Sequence, residues 1–319
     1  MAGRPLSRLA LTLWFLLIIH AVGWSRTIGR HQGGVAGVAF SGDGKLLASG
    51  GSDGTICLWQ VPGGRLVRRI KVRQGAVTAV ALAPDGKSVA ASLGWFPNDQ
   101  SGEVRLWEVR TGRLKHVWRH GRAMTGVAFS SDGATLAASG YAGVRMWGTR
   151  SGKLKQSLPV GDTFWVWGVA ISPDGQMVIG LGESDRIYWW DTRRDSREGN
   201  WPISSETEGH SAAFSPDGRT LAIGTKTGVK LVHPFTGKLQ RELIGYQSAA
   251  ITVAFSGDGK LLASGGKDKT VRLWNVRTGQ LVRVLKNHTG AVSSVALSPG
   301  GYNLASGSSD GTVRLWPLK

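Results

Sequence analysis

The residues that most resemble a reactive centre in this sequence form two copies of a glycine-serine pattern. Residues 50–54 read GGSDG and residues 307–311 read GSSDG, so both match G-x-S-x-G. In hydrolases this pattern holds a nucleophilic serine on a sharp turn between a strand and a helix. Here each copy lies between two apolar runs that alternate like β-strands. The sequence therefore predicts a hairpin turn at both places and not a nucleophile.

Several other side chains have the chemistry of metal ligands or nucleophiles, but their spacing argues against a site. His116 and His120 are four residues apart on a predicted strand and turn, which does not place them on one face as a helix would. Cys57 is the only cysteine, which excludes a disulfide within the chain and a cysteine-rich metal site. Single aspartates recur in turns one repeat apart, too far from one another to share a calcium ion. We predict no catalytic, metal-binding or cofactor-binding residues.

These residues are positioned by a repeat of about 42 residues that occurs seven times. Each copy contains an alternating apolar run such as VAGVAFS, a turn such as PDGK, a second run such as LLASG and a third such as TVRLW. A Thr-Gly or Ser-Gly turn then leads to a fourth run, and the period-two alternation with Val and Phe indicates β-strands. The third runs end at Trp59, Trp107, Trp147, Trp190, Val232, Trp274 and Trp316.

Four short antiparallel strands cannot bury both faces of their sheet, but seven such sheets arranged radially cover one another. We therefore predict an all-β fold, a seven-bladed β-propeller of four-stranded antiparallel blades. The tryptophan of each third strand would lie between adjacent blades, where its burial contributes roughly 4–6 kcal/mol before the entropy cost. The last copy has no fourth strand, and residues 25–30 are expected to supply it and to close the ring.

On these repeats the chain resembles the WD40-repeat family over about residues 26–319. The resemblance implies a structural tetrad of hydrogen-bonded His, Ser, Asp and Trp side chains in the first and last copies, in keeping with the need of a buried indole N–H for an acceptor. Copy six has Tyr246 in place of the histidine, and copies two to five depart further from the pattern. The implied tetrads are His31, Ser49, Asp53 and Trp59 in copy one and His288, Ser306, Asp310 and Trp316 in copy seven.

Residues 1–23 have the pattern of a secretory signal and are predicted to precede a propeller of residues 24–319. Two arginines come before an apolar run at residues 9–19, and residues 21–23 are the small residues of a cleavage site. The run is short for a membrane span, which needs about 20 residues, but an uncleaved anchor is the alternative. Either alternative predicts export to the periplasm or the extracellular space, with membrane contact only through this segment.

Aromatic residues between the strands of the central copies are the candidates for a binding surface. An insertion, GWFPNDQSG at 94–102, lengthens one turn, and DTFWVWG at 162–168 leads into a first strand. REGNWPISSE at 197–206 forms the long link toward copy five. Aromatic side chains on one rim are typical of a peptide-binding surface, although they also fill gaps left by missing tetrads. The candidate rim residues are Trp95, Phe96, Phe164, Trp165, Trp167 and Trp201.

Three functions are compatible with these features. The first is a non-catalytic, exported scaffold that binds a protein or peptide partner at its rim and has no small-molecule substrate. The second is electrostatic binding of an anionic polymer such as nucleic acid, which the formal net charge of +18 favours. The third is an enzyme with its catalytic residues in the central channel. That function needs convergent His, Glu or Asp on the first strands, which offer Val, Ala, Ser, Thr and Trp instead.

Overall fold

The chain folds into a ring of seven antiparallel sheets. The computed structural model describes residues 25–72, 75–94, 102–161, 164–183, 186–194, 197–202, 211–246 and 248–318. Over these ranges the chain forms 28 strands in seven four-stranded sheets, and it forms no helix. The predicted all-β fold, a seven-bladed β-propeller of four-stranded antiparallel blades, is confirmed.

In every blade the first strand lies innermost, and the second strand, built largely from small and aliphatic residues, is almost entirely buried. The first strands are β2 (Val35–Phe40), β6 (Ala76–Leu82), β10 (Met124–Phe129), β14 (Val166–Ile171), β18 (Ala212–Phe214), β22 (Ala250–Phe255) and β26 (Val292–Leu297). The second strands are β3 (Leu46–Gly51), β7 (Ser88–Gly94), β11 (Thr135–Gly140), β15 (Met177–Gly182), β19 (Leu221–Gly224), β23 (Leu261–Gly266) and β27 (Asn303–Ser308).

The third strand of each blade pairs with the second, and the fourth forms the outer edge, where many side chains are exposed. The third strands are β4 (Thr55–Gln60), β8 (Glu103–Glu108), β12 (Gly143–Gly148), β16 (Arg186–Asp191), β20 (Gly228–Val232), β24 (Thr270–Asn275) and β28 (Thr312–Pro317). The fourth strands of blades 1 to 6 are β5 (Arg65–Lys71), β9 (Leu114–Arg119), β13 (Leu154–Pro159), β17 (Arg197–Pro202), β21 (Leu239–Ile244) and β25 (Leu281–Lys286).

The outer strand of blade 7 comes from the other end of the chain. Strand β1 (Arg26–Arg30) pairs antiparallel with β28, with Arg26 opposite Leu315 and Arg30 opposite Thr312. Blade 7 therefore contains both the first and the last strand of the described chain, so the ring cannot open between blades 7 and 1 without breaking this pairing.

The connections between strands lie on two rims of the ring. We call the loops from second to third strands, and from each fourth strand to the next blade, the upper rim; the turns from first to second and from third to fourth strands form the lower rim. In the first lower-rim turn the Asp43 carboxylate accepts two hydrogen bonds. The Ser41 hydroxyl donates to it at 2.6 Å, and the Lys45 backbone N–H donates to the same oxygen at 3.0 Å. Gly44 has a φ of 68°, which glycine adopts without strain.

The apolar core is divided into seven clusters, one between each pair of adjacent blades. Between blades 7 and 1, Trp59 packs with Val313 and Leu315. Six of these clusters contain a third-strand tryptophan, whereas the cluster between blades 4 and 5 has Val232 at that position. There Trp189 and Trp201 pack against the cluster and supply aromatic volume that Val232 lacks.

We expect Gly29→Ala to destabilise the propeller, because β1 passes directly over the indole of Trp59. A Cβ atom at residue 29 would lie 2.0 Å from Cη2 of Trp59, and overpacking of this kind lowers the free energy of unfolding by roughly 1–3 kcal/mol. Gly63→Ala is the matched control, since no heavy atom lies within 4 Å of its Cβ position. Guanidinium unfolding of both variants makes the comparison, and equal midpoints would show that β1 does not cover Trp59.

Candidate functional site

The His, Ser, Asp and Trp side chains of blade 1 form a continuous hydrogen-bonded chain. The Trp59 indole N–H donates to the Ser49 hydroxyl at 2.9 Å, and that hydroxyl lies 2.9 Å from Nε2 of His31. Nδ1 of His31 lies 3.1 Å from the Asp53 carboxylate. Because the indole can only donate, we assign the serine as donor to Nε2 and place the imidazole proton on Nδ1, toward the aspartate.

Blade 7 has the same arrangement with similar distances. The Trp316 N–H donates to Ser306 at 2.8 Å, Ser306 lies 2.7 Å from Nε2 of His288, and Nδ1 of His288 lies 3.0 Å from Asp310. Burial opposes a charge on this carboxylate. Hydrogen bonds from Thr312 and His288 nevertheless outweigh that effect and hold the pKa of Asp310 below its ordinary range.

A Ser-His-Asp chain is also the arrangement of a hydrolytic triad, but these serines are not placed to attack a substrate. Ser49 and Ser306 are fully buried, and each accepts the N–H of its tryptophan. The chain of hydrogen bonds satisfies a buried indole and a carboxylate inside the blade interface. Its role in these two blades is therefore structural.

Blade 6 satisfies its tryptophan with different residues. The Trp274 N–H donates to Ser264 at 2.8 Å, and the Tyr246 hydroxyl lies 2.7 Å from the same serine. The Arg272 guanidinium lies 3.8 Å over the Tyr246 ring and donates to Asp268 at 2.7 Å, which replaces the missing histidine contact. Burial raises the pKa of Tyr246 to about 12, so the phenol stays neutral. The sequence analysis identified Tyr246 at the histidine position but missed the role of Arg272. That role depends on its contact with the Tyr246 ring, which the sequence does not show.

His120 occupies the tetrad histidine position of blade 3 but has lost its partners. It lies 18 residues before Ala138, which stands where blades 1 and 7 have serine. Its Nδ1 atom is buried and has no hydrogen-bond partner among the described residues. Burial, and then the charge of Arg145, lowers the pKa of His120 to about 4. Sequence reasoning considered this residue only as a metal ligand, although the 18-residue spacing is the signal that identifies it.

Blade 4 keeps its tryptophan without the serine. Trp190 is fully buried, and its indole N–H finds no acceptor in the part of the chain that the structure describes. Gly180 stands at the serine position, where a Cβ atom would lie 2.8 Å from Cγ1 of Val166 and 3.0 Å from the Trp190 ring. The local packing therefore has no room for the serine that this indole would need.

Three of the predicted rim residues come together at the mouth of the channel. Trp165 forms an isolated β-bridge with Tyr141, their ring centroids lying 5.5 Å apart at 75°. Trp165 also stacks on Trp167, with centroids 5.5 Å apart and planes at 13°. Phe164 is 40% exposed beside them. We call Tyr141, Phe164, Trp165 and Trp167 the aromatic cluster of the upper rim; Tyr141 was missed because it stands alone in a short turn.

Trp167 also lines the central channel, a cavity of about 460 Å³. The other lining residues are small, aliphatic or carry hydroxyl groups. Thr78 donates to the Met124 carbonyl and Thr125 to the Val166 carbonyl, each at 2.6 Å, so these hydroxyls link adjacent first strands. Among the described residues that line the channel, none is an acid, a base or a cysteine.

The remaining rim predictions differ in outcome. Trp201 lies in the outer strand β17, opposite Ile187, and packs on the cluster between blades 4 and 5. The prediction that places it in a loop with the other aromatic residues is wrong, because the strand continues through residue 202. Trp95 and Phe96 lie outside the described residues.

Cys57 is fully buried, and burial raises the pKa of its thiol. Within the described ranges, no three His, Cys, Asp or Glu side chains are grouped so that they could hold a metal ion. Over the same ranges, no helix has the length and apolar character that a membrane crossing requires.

Comparison with known families agrees with the repeats and the blades. The family described as "WD domain, G-beta repeat" matches residues 24–60, 152–191, 237–275 and 279–317. The chain belongs to the WD40-repeat family. Each match covers an outer strand and most of the blade that follows it, and the matched units end in blades 1, 4, 6 and 7.

Several curated WD40-type relatives cover about three quarters of this chain at 28% identity. They include "Periodic tryptophan protein 2 homolog" of Dictyostelium discoideum, with 75% of this chain and 26% of the relative aligned. With "Nuclear distribution protein PAC1" of Arthroderma otae, 77% of this chain and 51% of the relative align. With "Target of rapamycin complex subunit wat1" of Schizosaccharomyces pombe, 72% of this chain and 74% of the relative align. The chain thus spans about a quarter and about half of the length of the first two.

These comparisons correct the prediction of export. All three relatives come from eukaryotes, and two of their names refer to nuclear distribution and to a target of rapamycin complex, which points away from extracellular proteins. The prediction of a periplasmic or extracellular WD40 protein, cleaved or anchored facing outward, is therefore wrong. Residues 1–23 lie outside the described residues, and the signal segment itself stays a prediction.

We expect the free energy of unfolding of this WD40 propeller to fall as the pH decreases from about 6.5 toward 4. The folded pKa of His120 is lowered to about 4, whereas an unfolded histidine titrates near 6.5, so only the unfolded state binds the proton in this interval. The pKa of His288 is also lowered by burial, so it contributes with the same sign. Urea unfolding of His120→Gln at pH 7, 5.5 and 4.5 should show a shallower pH dependence than the wild type; an identical slope would contradict the assignment.

Proposed function

We propose that this WD40 propeller is a non-catalytic scaffold that binds a peptide segment of a partner protein at the aromatic cluster of its upper rim. The observation that carries the proposal is the row of rings in contact from Tyr141 through Trp165 to Trp167 at the channel mouth. A single exposed aromatic residue needs no explanation, but aromatic side chains in contact at one rim are the kind of surface that anchors peptide side chains.

Charge beside the aromatic cluster supports a particular kind of peptide. The Arg122 guanidinium lies 4.2 Å from the centroid of the Tyr141 ring, and its side chain is exposed. An arginine held over an aromatic ring still presents donors to a carboxylate. The arrangement favours an apolar anchor residue followed or preceded by an acidic residue in the partner.

The comparisons support a binding role at a general level. One relative is named as a subunit of a complex, and scaffolds of this family bind other proteins. Because the chain spans only part of the first two relatives, their partners are not transferred to it. The partner of this chain is therefore proposed from its surface chemistry alone.

We expect the double variant Phe164→Ser, Trp165→Ala to lose its partner in affinity capture while its melting temperature changes by less than about 4 °C, since both residues are partly exposed. Tyr302→Ala is the control, because Tyr302 is an exposed aromatic residue on the opposite rim. Quantitative mass spectrometry of the captured proteins makes the measurement. Retained capture, or loss of folding in the double variant, would overturn the proposed role of the aromatic cluster.

A second candidate function is electrostatic binding of an anionic polymer along the outer strands. Arg65, Arg69 and Lys71 of β5 are exposed, as are Lys115 and Arg119 of the neighbouring β9. A phosphate backbone that crosses blades 1 and 2 would meet these five cations. The formal net charge of +18 supports this candidate.

This second function predicts a strong dependence of binding on salt. With about five phosphate contacts, affinity for a 20-base-pair DNA duplex should fall by a few hundredfold between 50 and 200 mM salt. Arg69→Glu with Lys71→Glu should flatten this dependence, whereas Lys238→Glu, in a lower-rim turn of blade 5, should not. Fluorescence anisotropy at several salt concentrations provides the measurement, and affinity that barely changes with salt would exclude the candidate.

A further inference from the structure

Three departures from the repeat meet at the lower rim between blades 4 and 5. Val232 stands where the other six third strands have tryptophan. Trp189 stands where the other blades have leucine or methionine, directly before the position of the third-strand tryptophan. Phe235 occupies a turn position at which four other blades have arginine. Those arginines are Arg110, Arg150, Arg193 and Arg277.

Two of these residues, Trp189 and Phe235, line a pocket of about 410 Å³, a volume within the usual range of small-ligand sites. The rings of Trp189 and Phe235 form adjoining walls, with centroids 6.1 Å apart and planes at 75°. Met177 and Phe214 also line the pocket. Phe235 is 56% exposed, so an aromatic face remains open to solvent at the mouth.

The charged groups of the pocket are three carboxylates and one guanidinium. Arg193 is bound to Asp191 by two hydrogen bonds, Nε to Oδ1 at 2.8 Å and Nη2 to Oδ2 at 2.6 Å. Asp174 and Asp217 each accept a serine hydroxyl at 2.5 Å, and these hydrogen bonds lower the pKa of both carboxyls.

Both turn carboxylates are therefore ionised at neutral pH, and the pocket lining is net negative on a basic protein. Arg219 follows Asp217 in the turn but does not line the pocket. The phenylalanine at residue 235 removes the cation that other blades place at this position. Anionic and neutral polar groups are thus disfavoured here, and a cation with an apolar surface is favoured.

We propose that this pocket binds the trimethylammonium group of a methylated lysine in a peptide. The aromatic walls attract the cation by its interaction with the ring faces and bury its methyl groups, while Asp174 and Asp217 supply charge complementarity. An unmodified ammonium needs acceptors for three N–H groups, but one oxygen of each of these two carboxylates is already bound by its turn. This site lies on the rim opposite the aromatic cluster, so it does not depend on the function proposed there.

The probe is a fluorescein-labelled Gly-Ala peptide that contains a single trimethyllysine, compared with the same peptide carrying lysine or the neutral carbon isostere of trimethyllysine. We expect the trimethyllysine peptide to bind the full chain about tenfold more tightly than either comparison peptide. Equal binding of the carbon isostere would mean an apolar pocket without cation recognition. That result, or no binding of the trimethyllysine peptide, would overturn the proposal.

Two variants and a matched control test whether the peptide binds in this pocket. Phe235→Arg restores the residue of four other blades, so it should fold normally and abolish binding of the trimethyllysine peptide. Asp217→Asn should weaken binding several-fold. Asp258→Asn removes the corresponding charge from the blade 6 turn, where Ser256 donates to Asp258 at 2.6 Å, and should leave binding unchanged. Unchanged binding by Phe235→Arg, or equal effects of the two aspartate variants, would contradict the site.

Discussion

Burial of a large side chain between every pair of blades is the constraint on which this structure depends. An indole fills the wedge between two twisted sheets, but its N–H needs an acceptor once water is removed. Ser49, Ser264 and Ser306 supply that acceptor, and a histidine or a tyrosine satisfies each serine in turn. Blades 6, 7 and 1 follow one another around the ring. The sector that contains the β1–β28 closure is thus the sector in which these networks are complete.

The third strands of blades 4 and 5 meet the same constraint by apolar packing. Trp190 keeps its place without a serine, and the interface of blades 4 and 5 replaces the indole with Val232, supplemented by Trp189 and Trp201. A blade without the serine no longer needs a histidine in the loop that enters it. His120 remains in such a loop, where burial disfavours its charged form and lowers its pKa to about 4. The loop that enters blade 4 is freed from this requirement, and it supplies Phe164 and Trp165 of the aromatic cluster.

Repetition explains which features the sequence predicts well. The period and the alternation of apolar residues predicted all seven blades, including those that the family comparison does not match, because every copy must bury the same faces. Roles set by neighbours in space were missed: Arg272 acts through its contact with Tyr246, and Trp201 belongs to an outer strand whose sequence reads as a polar link. The export prediction failed because it depended on one apolar N-terminal segment, which carries no information from the packing of the propeller.

The carboxylates that stabilise the lower-rim turns can also take part in recognition. The serine–aspartate turn exists to satisfy backbone N–H groups, and its hydrogen bonds lower the pKa of Asp174 and Asp217 as they do in other blades. Blades 2, 3, 4 and 6 carry an arginine in the turn from the third to the fourth strand. The blade 4–5 pocket keeps the arginine of blade 4, Arg193, but lacks the second cation that blade 5 would contribute. Among blades 2 to 6, only blade 5 has an aromatic residue, Phe235, in place of that arginine. A single substitution on a repeated turn thus gives one interface an electrostatic character that its neighbours lack, at little cost to folding because the residue is exposed.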